Sequence, residues 1–349
     1  MKIVVDEKIP FLNEVLGAMG HCVVSLPGSS ITADDVRDAG ALFVRTRTRC
    51  AASLLDGSGV RFVGTATIGY DHIDSAYCAA NGIEWSSAAG CNAGAVLQYV
   101  QSAVYLWARE RGRRLQGMRF GVVGVGEIGS RVAAWAESEG MKVLLNDPPR
   151  AEKEGDAGFV SLEVIAGECD IITFHPTLQR GGEFPSYHLA DEAFFRSLVN
   201  CSLLINASRG PVVDNKALLA AMGNGLAADV VLDVWEGEPD IDRNLLNKVY
   251  IATPHIAGYS LEGKYNATRL VLEAFVRFSG YAGDIPLPEL AQPDVPIVAA
   301  ADYADAMLKI YSPHQDSSLL KSDPSAFEEL RNGYRFRREP SSFEIRLQK

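Results

Sequence analysis

The sequence predicts an α/β protein built on parallel sheets. In the N-terminal third, short apolar runs ("KIVVD", "HCVVSL", "ALFVRT", "VRFVGTA", "GIEWSSA") alternate with helical patterns, the rhythm of strands joined by crossover helices. From Met118 to Asp147 the chain reads strand, glycine-rich turn, helix, strand and acidic residue, one complete βαβ unit. Four further apolar runs follow ("DIITFH", "SLLINAS", "DVVLDV", "VYIATPH"), separated by the helical stretches "LADEAFFRSL" and "NKALLAAMGNG".

The remaining elements follow from periodicity. From Ala93 to Arg111 the apolar residues Val96, Val100, Val104 and Trp107 recur at helical spacing, which predicts a long helix with one buried face. The basic group "RERGRR" at its end suits the negative pole of the helix dipole. A second long amphipathic helix is expected from about Ser260 to Ser279. The proline-rich stretch "GDIPLPELAQPDVP" reads as a linker. The last stretch holds a helix ("AFEELRNGY") and a strand ("SFEIRLQ").

A chain of 349 residues has length for two or three domains. A net charge of −11 argues against a general affinity for nucleic acid or an anionic membrane. The six cysteines form no C-x-x-C and no ligand-like spacing with histidine, so they are expected as buried hydrophobes in a reducing cytosol, with no metal site. "KIVVDE" is too short and too quickly acidic for a signal peptide. Ala88 to Ala108 is interrupted by polar residues and is expected as a buried helix, not a membrane span. A cytoplasmic enzyme is the resulting expectation.

Gly124, Gly126 and Gly129 form G-x-G-x-x-G between a strand and a helix. Glycines there permit a tight turn and close approach of a pyrophosphate, to which the helix N-terminus at Glu127 and Ile128 offers unpaired N–H groups. Asp147, ending the next strand, is placed to bond the adenosine ribose and to repel the extra phosphate of NADP. The fold class is therefore a Rossmann-type domain that binds NAD. Arg150 nearby counts slightly against that cofactor preference.

Three later segments put polar residues at the C-terminal ends of strands, where open α/β sheets hold their ligands. They are "INASRG" with Arg209, "LDVWEGEP" with Asp233 and Glu238, and "ATPHIAGY" with His255. Hydride transfer from a hydroxyl-bearing carbon needs a base, and imidazole suits that near neutral pH. A carboxylate beside it fixes the tautomer, and an arginine can grip a substrate carboxylate through two parallel bonds. Chemistry alone leaves Glu236 and Glu238 as alternatives for the carboxylate.

"GVVGVGEIGSRVA", "INASRGPVVDNKALLAAM", "LDVWEGEP" and "TPHIAG" together resemble the D-2-hydroxyacid dehydrogenase family. The resemblance implies an Arg–Glu–His trio at Arg209, Glu238 and His255. It implies a flavodoxin-like substrate domain from residues 1–92 and 260–285, an NAD-binding domain at 93–259, and cofactor contacts at Asp147, Pro176, Asp233 and Gly258. A narrower likeness ("VDEKIPF", "FVGTATIGYDHID", "GCNAGAV", "DPPRA", "DVWEGEPD", "TPHIAGYSLEGK") points to a branch acting on a phosphorylated 2-hydroxy acid, with substrate contacts at Thr46, Thr67 and Tyr259. "FEELRNGYRFRREPSSFEI" resembles that branch's small α+β dimerisation domain, which implies a homodimer through residues 286–349. Two positions depart from the family pattern. "HPTL" puts Pro176 where threonine is common, and Gln98 stands where an acidic residue is usual. Rival readings are another family member, such as one acting on 3-phosphoglycerate, and an NAD-sensing corepressor.

Two basic stretches remain. In "VRTRTRC", Val44 to Cys50, an extended chain would put Arg45, Arg47 and Arg49 on one side and Thr46 and Thr48 on the other. An anion-binding rim centred on Thr46 therefore requires either a turn there or arginines that act only through their field; Arg45, Arg47 and Lys264 are candidates for the substrate phosphate. The cluster Arg331, Arg335, Arg337 and Arg338 is expected as a solvated or interfacial face of the dimerisation domain.

Overall fold

A computed structural model describes residues 1–225, 228–290 and 295–348. By contacts the described residues form two compact units: those of Met1–Asn92 and Ser260–Asp294, and those of Ala93–Tyr259 and Val295–Lys349. Residues 291–294 of the expected linker lie outside the described residues.

The first unit holds five parallel strands: β1 (Lys2–Asp6), β2 (Cys22–Leu26), β3 (Ala41–Val44), β4 (Phe62–Thr65) and β5 (Glu84–Ser87), in the order β2-β1-β3-β4-β5. This is the flavodoxin-like order. Alternation along the strands divides two cores. Ile3, Val5, Phe43 and Phe62 face one side, and Val4, Leu42, Val44 and Val63 the other. Because both faces are covered, the strands read as continuous apolar runs. The helix Leu261–Ser279 covers the first face, with Phe275 meeting Phe43 and Phe62 edge-on at 5.5 Å centroid separation.

The second unit holds six parallel strands: β6 (Arg119–Val123), β7 (Lys142–Asn146), β8 (Ile171–Phe174), β9 (Leu203–Asn206), β10 (Asp229–Leu232) and β11 (Ile251–Ala252), in the order β11-β10-β9-β8-β6-β7. Beyond β7, where a doubly wound sheet usually carries one more strand, Val160 donates a single backbone hydrogen bond to Leu145 (2.8 Å). The order reverses between β6 and β8, so the chain leaves these strands toward opposite sides and opens a crevice at their C-terminal ends.

The helix expected from Ala93 runs to Glu110, but it is buried on more than one face: Gln98, Gln101 and Ser102 are enclosed along with Val96, Val100 and Trp107. Its outer side is covered by the C-terminal residues, whose Met307 and Tyr311 join its core. The sequence reading sets residues 286–349 apart as a third domain; by contacts, those from Val295 group with the second unit. They comprise a parallel pair, β12 (Ile297–Ala300) with β13 (Glu344–Leu347), and helices Tyr303–Ile310, Pro313–Ser322 and Phe327–Asn332. The sequence reading places no element at the first two helices or at β12.

Candidate active site

The three motif glycines have three separate steric reasons. Gly124 has φ +84°, and a Cβ there would lie 2.4 Å from the nitrogen of Pro176. A Cβ on Gly129 would lie 2.0 Å from the carbonyl oxygen of Gly124, so the helix Glu127–Ser138 could not approach β6 so closely. A Cβ on Gly126 would meet nothing within 4 Å. Space is therefore left open at the N-terminus of that helix, at Glu127 and Ile128, where an anion gains from the N–H groups and the dipole.

Asp147 directly follows β7 beside this loop. Its carboxylate accepts from the Val125 N–H (2.7 Å) and caps the helix Pro148–Glu154 by accepting from the Arg150 N–H (3.1 Å). The Arg150 guanidinium is held by Glu154 (2.7 Å) and the Val125 carbonyl (2.6 Å). An arginine so engaged is poorly placed for a ribose phosphate. Pro176, which has no N–H to offer, packs against Gly124. Before it, His175 Nε2 pairs with the Thr173 hydroxyl at 2.9 Å, and burial pushes the His175 pKa down to about 3.

The loops after β9, β10 and β11 carry the trio. Asn206 shapes the first loop, accepting from the Ser208 N–H (3.1 Å) and donating to the Arg209 carbonyl (3.0 Å). Gly210 is needed because a Cβ there would stand 1.9 Å from the carbonyl oxygen of Trp235. Arg209 donates to the Ser208 carbonyl (2.8 Å) and remains half-buried.

The two glutamates that chemistry alone leaves as alternatives, of which the resemblance implies Glu238, have different partners. Glu238 Oε2 lies 2.8 Å from His255 Nδ1, and Oε1 accepts from the Trp235 N–H (2.9 Å). Glu236 instead bonds His188 Nε2 (2.8 Å) and accepts from the Asn215 N–H (3.0 Å). Burial alone would raise the Glu238 carboxyl. The hydrogen bond and charge of His255, the Trp235 N–H and nearby Arg331 outweigh it and hold the pKa below the ordinary value.

His255 adopts φ +59°, a left-handed conformation uncommon outside glycine, and its turn constrains it there. The constraint comes from Asp233, which is 1% exposed. Its backbone carbonyl accepts from the His255 N–H (2.7 Å), and its carboxylate accepts from the Thr253 hydroxyl (2.6 Å) and the N–H groups of Ile256 (2.8 Å) and Ala257 (2.9 Å). The position expected to contact cofactor thus builds the turn that aims the imidazole. Gly258 and Tyr259 follow that turn, both half-buried.

In the first unit, two of the expected substrate residues, Thr46 and Thr67, lie just past the ends of β3 and β4. The chain turns after β3: the Thr48 N–H donates to the Arg45 carbonyl at 3.3 Å, leaving Thr46 exposed. Of the two arrangements left for "VRTRTRC", the chain takes the turn: Thr46 and Arg47 are both exposed, while Thr48 is buried and donates to the Gly28 carbonyl (2.6 Å). Thr67 donates to the Gly69 carbonyl (2.9 Å) and shares a hydrogen bond with Thr65 (2.7 Å), which pairs with His72 Nε2 (2.9 Å).

The basic C-terminal cluster is not uniformly solvated or interfacial. Arg337 is 8% exposed. It donates to Gln98 Oε1 (3.0 Å) and to the carbonyls of Ile256 (3.0 Å), Ala95 (2.9 Å) and Ala257, and its guanidinium lies 4.3 Å from the Tyr311 ring centroid. Gln98 also donates to the Arg338 carbonyl (3.0 Å), a bond the usual carboxylate could not make when ionised. Arg331 reaches Glu238, with Nη1 3.7 Å from Oε2. The one sequence signal for this was the interleaving of arginines with Tyr334 and Phe336.

The chain matches the profile of the D-isomer specific 2-hydroxyacid dehydrogenase NAD-binding domain over residues 92–257. It is 49% identical to a protein of Bacteroides thetaiotaomicron named erythronate-4-phosphate dehydrogenase, across 99% of each chain. The protein of that name from Proteus mirabilis is 43% identical, over 99% of this chain and 94% of its own. Among solved structures, the TT0316 protein of Thermus thermophilus superposes with a TM-score of 0.66 at 25% identity, covering 83% of this chain and all of its own. NAD⁺-bound 3-phosphoglycerate dehydrogenase of Entamoeba histolytica does so at 0.67 and 22% identity, over 83% of this chain and 99% of its own.

Proposed function

Because this chain belongs to the D-isomer specific 2-hydroxyacid dehydrogenase family, alongside the erythronate-4-phosphate dehydrogenases, we propose that it oxidises the C2 hydroxyl of 4-phospho-D-erythronate to 2-oxo-3-hydroxy-4-phosphobutanoate. That reaction is a step of pyridoxal 5'-phosphate (vitamin B6) biosynthesis. NAD is the cofactor, and when bound it supplies the acceptor for the C2 hydride. Gly124, Gly126, Gly129 and the helix start at Glu127 and Ile128 would hold its pyrophosphate, and Asp147 its adenosine ribose.

The observation that carries the reading is the 2.8 Å bond between Glu238 Oε2 and His255 Nδ1. With Nδ1–H held by an ionised carboxylate, Nε2 is the basic nitrogen, and among the described residues it has no partner. His255 accepts the hydroxyl proton there, and Glu238 stabilises the imidazolium that forms. Arg209 grips the substrate carboxylate and the developing carbonyl. Thr46, Thr67 and Tyr259 complete the substrate contacts, with Pro176, Asp233 and Gly258 bordering the nicotinamide end of the cofactor.

The protein acts in the cytoplasm as a homodimer. Six of the ten exposed large apolar side chains among the described residues fall in the C-terminal segment: Val295, Ile297, Tyr303, Leu319, Phe336 and Leu347. Such a concentration is what a subunit interface needs. Among the described residues no helix is long and apolar enough to cross a membrane.

The test is NADH formation by purified protein over a panel of 2-hydroxy acids, phosphorylated and not. The expected result is fastest turnover of 4-phospho-D-erythronate. Preference for 3-phosphoglycerate would move the chain to another branch, and NAD binding without turnover of any acid would favour the corepressor reading. His255→Ala is expected to abolish turnover while NAD still binds, as followed by quenching of protein fluorescence. Loss of NAD binding in that variant would remove His255 from the role of base.

A further inference from the structure

The proposed substrate carries an anion at each end, and the trio supplies a cation for one. Arg209 serves the carboxylate, and no second glycine-rich loop is present for the phosphate. The second unit does hold another guanidinium beside the Glu238–His255 pair. Arg331, on the helix Phe327–Asn332, places Nη1 3.7 Å from Glu238 Oε2 and Nε 3.4 Å from the Tyr259 hydroxyl oxygen.

Several features distinguish this arginine from a surface charge. Glu238 is the one carboxylate among the described residues within ion-pair distance of it, at a separation too long for a hydrogen bond. Both Glu238 oxygens are already engaged, by His255 and by the Trp235 N–H. A guanidinium has five donors in a rigid fork; among the described residues only Nε has an acceptor here, and that contact is long. The side chain is 32% exposed, so the unspent donors are accessible.

Its position is also built. Arg337, a few residues on, bonds the carbonyls of Ile256 and Ala257 in the turn that carries His255. The rings of Tyr334 and Phe336 each meet Tyr259 edge-on, at 6.0 Å. The C-terminal segment is thereby fastened to the trio's own loops, and Arg331 comes with it. Arg331 lies outside residues 92–257, which match the general family profile. Chemistry shared by every 2-hydroxyacid dehydrogenase is not expected to depend on it.

We propose that Arg331, with the Tyr259 hydroxyl, binds the phosphate of the substrate and sets the preference for a phosphorylated 2-hydroxy acid. This rests on the assignment of His255 and Glu238 as the hydride-transfer pair. Two parallel N–H···O bonds from a planar fork match phosphate oxygens. A dianion near the Glu238 carboxylate would be repelled without a cation between them, and Arg331 stands at that place.

The test compares wild type, Arg331→Gln and Arg331→Lys on 4-phospho-D-erythronate and D-erythronate, with NAD saturating. The readout is the ratio of kcat/KM for the phosphorylated over the unphosphorylated acid. In Arg331→Gln this ratio is expected to fall by about ten- to a hundredfold, the size of one charged hydrogen-bonded contact. Arg331→Lys should recover part of it, and inorganic phosphate should inhibit wild type more strongly than Arg331→Gln. An unchanged ratio, or equal losses on both acids, overturns the proposal, the second pointing to a role confined to Glu238. Thermal melting and NAD titration of each variant separate misfolding from these outcomes. A wild type with no preference for the phosphorylated acid would sink the functional reading itself, whereas preference retained in Arg331→Gln sinks only this inference.

Discussion

Two glutamates in one tripeptide, Glu236 and Glu238, show how residue-scale environment assigns roles that residue type cannot. Glu238 bonds the imidazole of His255, whereas Glu236 ties His188 to the start of the helix Asn215–Gly223. Glu238→Gln is expected to lower kcat by about a hundredfold or more, the usual contribution of a positioned proton-transfer pair. Glu236→Gln should change kcat only a few-fold and act mainly on thermal stability. Steady-state assays of the two purified variants decide this, and equal kcat losses would undo the distinction. The pH dependence of stability follows from the same bond. Glu238 is held below its ordinary value of 4.5 in the folded chain, so its stabilising contribution is complete above that pH and is lost as pH falls through the lower folded value. The melting-temperature gap between wild type and Glu238→Gln should therefore be larger at pH 7 than at pH 4.

At the scale of elements, the glycine turn between β6 and the helix Glu127–Ser138 separates folding from binding. Gly129 is fixed by the protein itself, since its Cβ would collide with the Gly124 carbonyl, while a Cβ on Gly126 meets only open space. Gly126 has φ −78°, which alanine tolerates. Gly129→Ala is expected to destabilise the unit by about 2 kcal/mol or more through overpacking. Gly126→Ala should melt close to wild type and raise the KM for NAD by about tenfold or more, because the added methyl takes space that the pyrophosphate needs. Melting curves and NAD titrations distinguish the two, and a folded Gly126→Ala with unaltered NAD affinity would contradict the reading. These elements were legible in sequence because local chemistry specifies them: apolar runs, glycines and an acidic residue at fixed spacing. That Gln98 is covered by Arg337 and the Arg338 backbone was not legible, because those residues lie far along the chain.

For the whole molecule, the concentration of exposed apolar side chains in residues 295–347 carries the expectation of a dimer. Light scattering should give twice the mass of one chain for wild type. A double variant, Leu319→Glu with Phe336→Glu, should shift the population toward monomer; an unshifted mass would place the interface elsewhere. The sequence set this segment apart as an interfacial module, with its arginines solvated or at the interface. In the fold the same segment lies against the long helix Ala93–Glu110 and the turn after His255. It thus combines exposed apolar side chains with Met307 and Tyr311, which pack into the core of that helix, and with Arg337, which bonds the turn after His255.

The parallel sheets, the dinucleotide turn with Asp147 beside it and the placing of Arg209 and His255 just past strand ends could be read from the linear chain, because each depends on residues close in sequence. The separate partners of Glu238 and Glu236, the use of Asp233 to hold the histidine turn, and the presence of Arg331 beside that turn depended on the folded chain. Each of these is a contact between loops from different strands or from the C-terminal segment. Periodicity reports which face of an element is buried, but carries no information about which distant side chain will meet it there.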